Sequence, residues 1–159
     1  MGRQVLTRLR SGTSELRIHT GRFDGLRRAE RICRLCADDV ETERHFLLDC
    51  SFYSAERQQL WSSIDAIVSD SQRRSGDRTA SASTFSVSSL SADEQLILMT
   101  GGGHAVIAEA KCDRPVMSAL LIAVAKWMQQ RKQRIDELDA VVASLDDEQS
   151  ASDAAPVPL

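Results

Sequence analysis

The stretch Cys33-Arg34-Leu35-Cys36, then Ala37-Asp38-Asp39-Val40-Glu41-Thr42-Glu43-Arg44, then His45-Phe46-Leu47-Leu48-Asp49-Cys50 carries the strongest chemical signal in the chain. Its pattern is C-x2-C-x8-H-x4-C. Two cysteines separated by two residues can place both sulfurs on one ion within a tight turn. A second pair arriving from a following loop or helix then closes a tetrahedron. Cys33, Cys36, His45 and Cys50 are therefore the expected ligands of one metal ion. Three thiolates and one imidazole make a closed structural zinc site, with no position left for a reactive water. Thiolate softness favours zinc over calcium or magnesium. Such a site can supply on the order of 10 kcal/mol of folding free energy to a small lobe. The alternatives are ordinary buried cysteines beside a surface histidine, or a redox C-x-x-C pair. The redox reading lacks its usual βαβ surroundings. The acidic insert Asp38-Asp39-Val40-Glu41 is expected to be an exposed loop between the ligand pairs.

Outside this segment the composition is that of an ordinary soluble chain. It has 159 residues, 42% hydrophobic and 27% charged, with a formal charge of -3. Collagen, a multi-span membrane protein and a bulk polycation are excluded on these numbers. The small net charge conceals an asymmetry. Residues 1–36 hold nine Arg against Glu15, Asp24 and Glu30, a net of +6, whereas residues 37–56 carry a net of -5. A basic arm thus abuts an acidic loop. Arg22, Arg27, Arg28, Arg31 and Arg34 are the candidates for phosphate contacts, because the guanidinium suits bidentate recognition. Phe23 is the one aromatic near them. The alternative is that these arginines form solvated faces paired with the acidic loop. The longest apolar stretch, Ala119 to Ala125, falls far short of the ~20 residues that cross a bilayer. With no secretory signal at Met1 to Arg10, the expected setting is a reducing cell interior, nucleus or cytoplasm, with no membrane partner.

Helical periodicity organises the rest. Val5, Leu6 and Leu9 suggest a short helix ending near Ser11-Gly12. Tyr53 to Val68 carries an apolar stripe of Leu60, Trp61, Ile64, Ile67 and Val68, with Glu56, Arg57 and Gln58 off it. Residues 69–90 read as a Ser-rich linker. Ser91 and Glu94 form a capping box for a helix that Gly101-Gly102-Gly103 ends. Asp113-Arg114-Pro115 opens the longest helix. Its buried side is marked by Met117, Leu120, Leu121, Val124, Trp127, Met128, Ile135 and Leu138, reaching to Leu145. The tail, residues 146–159, is acidic, Ser/Ala-rich and expected to be disordered. The expected fold is mostly α, with four segments. These are an Arg-rich arm and zinc lobe over 1–68, the linker, a helical lobe over 91–145, and the tail. Cys112, His19 and His104 have no partners in sequence and read as structural. The triple glycine before His104 lacks the Lys and Ser/Thr of a phosphate loop.

The run from Cys33 to Cys36, Glu41-Thr42-Glu43, His45 to Cys50 and Tyr53 to Arg57 resembles the zinc-binding region downstream of the reverse transcriptase in non-LTR retrotransposon polyproteins. Leu9-Arg10-Ser11-Gly12 and Gly21-Arg22 resemble the arm that precedes the cysteines there. The likeness covers about residues 5–61 well and the later helices more loosely. It implies a nucleic-acid-associated zinc module with Cys33, Cys36, His45 and Cys50 as ligands, and no catalysis in this chain. Ala37-Asp38-Asp39 matches the Ala-Asp-Asp of a polymerase site only superficially, because the β-rich palm sequence is missing; it reads as a solvated turn. The expected function is a non-enzymatic module binding RNA or DNA. The alternatives are a protein-interaction module using the zinc lobe or the long helix, which could also self-associate, and a relic fragment without selected function.

Overall fold

A computed structural model describes residues 2–75, 86–109 and 112–153. Six α-helices dominate it: α1 (Gly2–Arg10), α2 (Arg17–Thr20), α3 (Ser54–Ser75), α4 (Ala92–Met99), α5 (Ala105–Glu109) and α6 (Asp113–Asp153). Among the described residues the sole β pairing is an isolated antiparallel bridge between Ile32 and Val40. The fold is thus mostly helical, as the periodicity indicates.

Local chemistry explains several boundaries. Ser91 Oγ accepts from the Glu94 amide while the Glu94 carboxylate accepts from the Ser91 amide, so both free donors at the start of α4 are satisfied. At its other end the Gly101 amide donates to Leu98 and the Gly102 amide to Ile97, the paired bonds of a Schellman stop. That stop needs a left-handed residue, and Gly101 has φ +84. A Cβ there would lie 2.6 Å from the Arg10 guanidinium, which bonds the Thr100 carbonyl and ties α1 to the end of α4.

Helix α3 runs past Val68 to Ser75, into the stretch read as linker. An Asp70–Arg74 ion pair at i, i+4 supports this polar extension. The other end of that stretch is also ordered. Val87 is fully buried, its amide donates to Asp65, and Gln95 donates to the Val87 and Leu90 carbonyls. Residues 76–85 of the expected linker lie outside the described residues. Helix α6 likewise continues past Leu145 to Asp153, and residues 154–159 of the expected tail lie outside the description.

One continuous core joins the segments on either side of that stretch. Leu6 and Leu9 of α1, Leu60, Ile64 and Val68 of α3, and Val116, Leu120, Val124 and Trp127 of α6 are all buried in it. The chain has only seven aromatic residues, and three of them meet at its centre. Tyr53 stacks on Trp127 at 5.7 Å, and Phe46 packs edge-on against Tyr53 at 5.2 Å. The Tyr53 hydroxyl donates to the Trp127 carbonyl. Leu138, expected on the buried side of α6, is exposed instead, because the apolar core ends before it.

Three charged residues are buried, and two of them, Glu41 and Arg57, correct the sequence reading. Glu41, expected in an exposed acidic loop, is 1% exposed, and Arg131 of α6 is 6% exposed. Arg131 Nε and Nη2 donate to the two Glu41 carboxylate oxygens, both at 2.6 Å. The Arg17 amide donates to the same carboxylate at 2.7 Å. Arg57, expected off the α3 stripe, is buried too and donates to the Cys50 carbonyl at 2.6 Å.

Removing one member of a buried ion pair strands the other charge, which typically costs about 3–5 kcal/mol. Arg131→Ala is therefore expected to lose on the order of 3 kcal/mol or more in urea unfolding. The Glu41→Leu/Arg131→Met double variant should recover much of that loss. A double variant no more stable than the single would contradict this account of the pair.

Candidate metal centre

The ligand residues are delivered by two short devices. The first is a hairpin closed by the Ile32–Val40 bridge, with the Cys33 amide donating to Asp39 at 2.8 Å and the Glu41 amide to Arg31 at 2.9 Å. Its turn carries Ala37 in the left-handed region at φ 61, where a Cβ is disfavoured. The Ala37 amide donates to the Cys33 carbonyl, and the Asp38 amide points at Cys36 Sγ at 3.5 Å. This tight reversal turns both sulfurs inward. Asp38 and Asp39 are exposed at its tip, as the solvated-turn reading expects.

The second device is a π-helical turn, His45–Asp49, closed by the Cys50 amide donating to the His45 carbonyl at 2.7 Å. An i→i+5 bond places residues five apart on the same side, which an α-helix would not do. The H-x4-C spacing is thereby converted into two ligands facing one point. Thr42 Oγ1 accepts from the His45 amide at 3.0 Å and fixes the start of the turn.

The four ligand atoms all lie within 4.8 Å of one another. Cys33 Sγ is 4.0 Å from Cys50 Sγ, and Cys36 Sγ is 3.2 Å from His45 Nε2. A tetrahedral ion with metal–sulfur bonds of about 2.3 Å has sulfur–sulfur edges of about 3.8 Å, so these separations suit one. Cys33, Cys50 and His45 are buried, and Cys36 is half-buried. The cysteines also perturb one another. The hydrogen bond from Cys50 holds Cys33 well below the ordinary thiol range. The same contact, with burial, pushes Cys50 up, and burial pushes Cys36 up.

The expected phosphate-binding arginines separate into two groups. Arg31 is committed internally: it donates to the Leu26 carbonyl at 2.9 and 3.1 Å and to the Ile18 carbonyl at 2.7 Å. Arg34 is half-buried and forms an ion pair with Asp139 of α6. Arg22, Arg27 and Arg28 are exposed, although Arg27 also pairs with Glu30. The Arg22 guanidinium sits 4.7 Å from the ring centre of Phe23, which is 78% exposed. Of the other residues read as structural, His19 pairs with Glu43, and Cys112 is buried with its thiol toward the Ile107 carbonyl. Glu41, Arg57 and Arg131 are what the sequence reading missed around the metal centre. The available signal was a cation in an apolar register, since Arg131 follows Leu120, Val124 and Trp127 and Arg57 precedes Leu60 and Ile64 at core spacing.

No protein-family model, curated protein or solved structure matches this chain. The cluster of Cys33, Cys36, His45 and Cys50 therefore stands on its own geometry as compatible with metal binding.

Elemental analysis of the purified chain should find one bound metal ion per molecule. Cys33→Ser and His45→Ala are each expected to abolish it, and chelation should also weaken the near-ultraviolet dichroism of the Tyr53–Trp127 stack. A wild-type chain that is folded and metal-free would refute this.

Proposed function

We propose that the chain is a non-catalytic zinc module that binds RNA or DNA through the Arg22–Arg28 loop. Charge balance around the site supports zinc. A divalent ion held by three thiolates leaves one negative charge, and Glu41 adds a second. The buried Arg57 and Arg131 supply two positive charges, so the zinc-loaded lobe is locally neutral. Four protein ligands leave the ion no open position, which is the arrangement of a structural rather than a catalytic site. Within the lobe, Cys33, Cys36, His45 and Cys50 would hold the ion, and the ion would hold the hairpin against the π turn.

The observation that carries the nucleic-acid reading is Phe23, a large apolar ring left in solvent beside exposed arginines. An aromatic ring offers a stacking surface to any base, and guanidinium groups beside it offer phosphate contacts. Arg22 already lies over that ring, leaving its edge and outer face open. Arg28 and Arg27 flank the same loop. Arg31 supports the loop by bonding its Leu26 carbonyl and the Ile18 carbonyl of α2, and Arg34 anchors the hairpin to α6. The likeness of the Cys/His run to the retrotransposon zinc-binding region points the same way and makes a retroelement origin part of the proposal.

Fluorescence anisotropy with a short single-stranded RNA, and with the matching DNA, tests this reading. Binding should weaken steeply with salt, with a slope of about 0.7 per neutralised phosphate. Arg22→Ala/Arg28→Ala should reduce both affinity and slope, while Phe23→Ala should cost about 1–3 kcal/mol with the slope unchanged. Absence of binding at low salt would overturn the proposal and favour a protein-interaction module, which the exposed distal stripe of α6 would then serve.

A further inference from the structure

Helix α6 has 41 residues, and its buried positions stop at Arg131 among the described side chains. The stripe that lies in the core as Leu120, Val124 and Trp127 continues past the body as Leu138, Val142 and Leu145. All three are exposed, and Val141 beside them is exposed as well. An apolar stripe with nothing against it among the described residues sits on a segment that is also strongly acidic. Residues 135–153 contain Asp136, Glu137, Asp139, Asp146, Asp147, Glu148 and Asp153 and no Lys or Arg, with Asp139 paired to Arg34 and Glu137 to Arg134 in the same molecule.

A complementary surface exists on the other half of the molecule. Helices α1 and α6, with Ser14 and Glu15 of the loop after α1, line a groove of about 870 Å³. Val5, Leu121, Ile122 and Met128 give it an apolar lining, and Arg3, Arg8, Lys126 and Lys132 stand along it against a single acid, Glu15. Its wall includes Ser14, which is 5% exposed and whose buried Oγ has no hydrogen-bond partner. The distal stripe of α6 cannot fold back into this groove, because both belong to the same continuous helix. The stripe from Leu138 to Leu145 is about 11 Å long and α1 about 14 Å, so the lengths match.

We infer that the occupant of the α1/α6 groove is the acidic distal half of α6 from a second copy of this chain. Each copy offers one overhang and one groove, so reciprocal exchange closes a two-fold dimer with two identical contacts. The apolar stripe fills the groove, and the acidic flanks of the helix lie against its arginines and lysines. The groove and the Arg22–Arg28 loop comprise different residues, so this inference stands apart from nucleic-acid binding.

Light scattering and sedimentation of the full, metal-loaded chain, from micromolar to near-millimolar concentration, should show a species of twice the chain mass. Its dissociation constant should rise with salt. Val142→Glu in the overhang and Lys126→Glu/Lys132→Glu in the groove should each give a helical monomer by circular dichroism. Mixing the two variants should restore a dimer, because one unaltered overhang then meets one unaltered groove. A wild-type chain that stays monomeric throughout, a dimer that survives both variants, or variants that fail to complement would each overturn the inference.

Discussion

The Glu41 carboxylate is the point on which the fold turns. It accepts two bonds from Arg131 and one from the Arg17 amide, while its own backbone closes the cysteine hairpin and bonds Ile18. Three separate parts of the chain, α2, the hairpin and α6, are thereby fixed to one buried side chain. A carboxylate removed from water in this way is tolerable only when its charge is compensated and its lone pairs are occupied. The bidentate geometry satisfies both demands and sets the register of α6 against the hairpin. Hydrophobic contacts alone would leave that register loose, because Leu, Val and Ala tolerate sliding that a fork-shaped ion pair does not.

The Cys/His cluster and the core packing share this corner. Cys33 Sγ lies 3.9 Å from Glu41, Arg57 bonds the Cys50 carbonyl, and Tyr53 follows the last ligand directly into the aromatic stack with Trp127. The Cys/His segment thus meets the rest of the molecule through these residues. It contributes by fixing the positions of Glu41, Cys50 and Tyr53, from which α6 is held. An ion that merely stapled two loops would leave α6 unaffected. Here the staple and the helix docking surface consist of the same few residues.

What could be read from sequence follows the range of the interactions. The α4 capping box, the glycine stop and the four ligands depend on residues close together in the chain, and their spacing announces them. The extension of α3 to Ser75 was hidden because its polar residues look like linker unless the Asp70–Arg74 pair is noticed. Glu41 and Arg131 are 90 positions apart, and a glutamate within an acidic run gives no local sign that a distant arginine will bury it. The π turn was also invisible, since H-x4-C spacing suits several backbone paths and only the Cys50–His45 bond selects one. Among the arginines, sequence could find the cluster but could not separate Arg31 and Arg34, which serve the fold, from Arg22 and Arg28, which face solvent.

The length of α6 has a mechanical consequence. Two ion pairs rooted in the cysteine hairpin, Glu41 to Arg131 and Arg34 to Asp139, hold it near its middle. Beyond Asp139 the helix rises roughly 21 Å to Asp153, so a tilt of about 10° at that grip would swing the tip through about 4 Å. The helix is a lever whose fulcrum is the cysteine-bearing hairpin. A change in the hairpin's geometry would therefore reach the far end of α6 enlarged by the length of that arm.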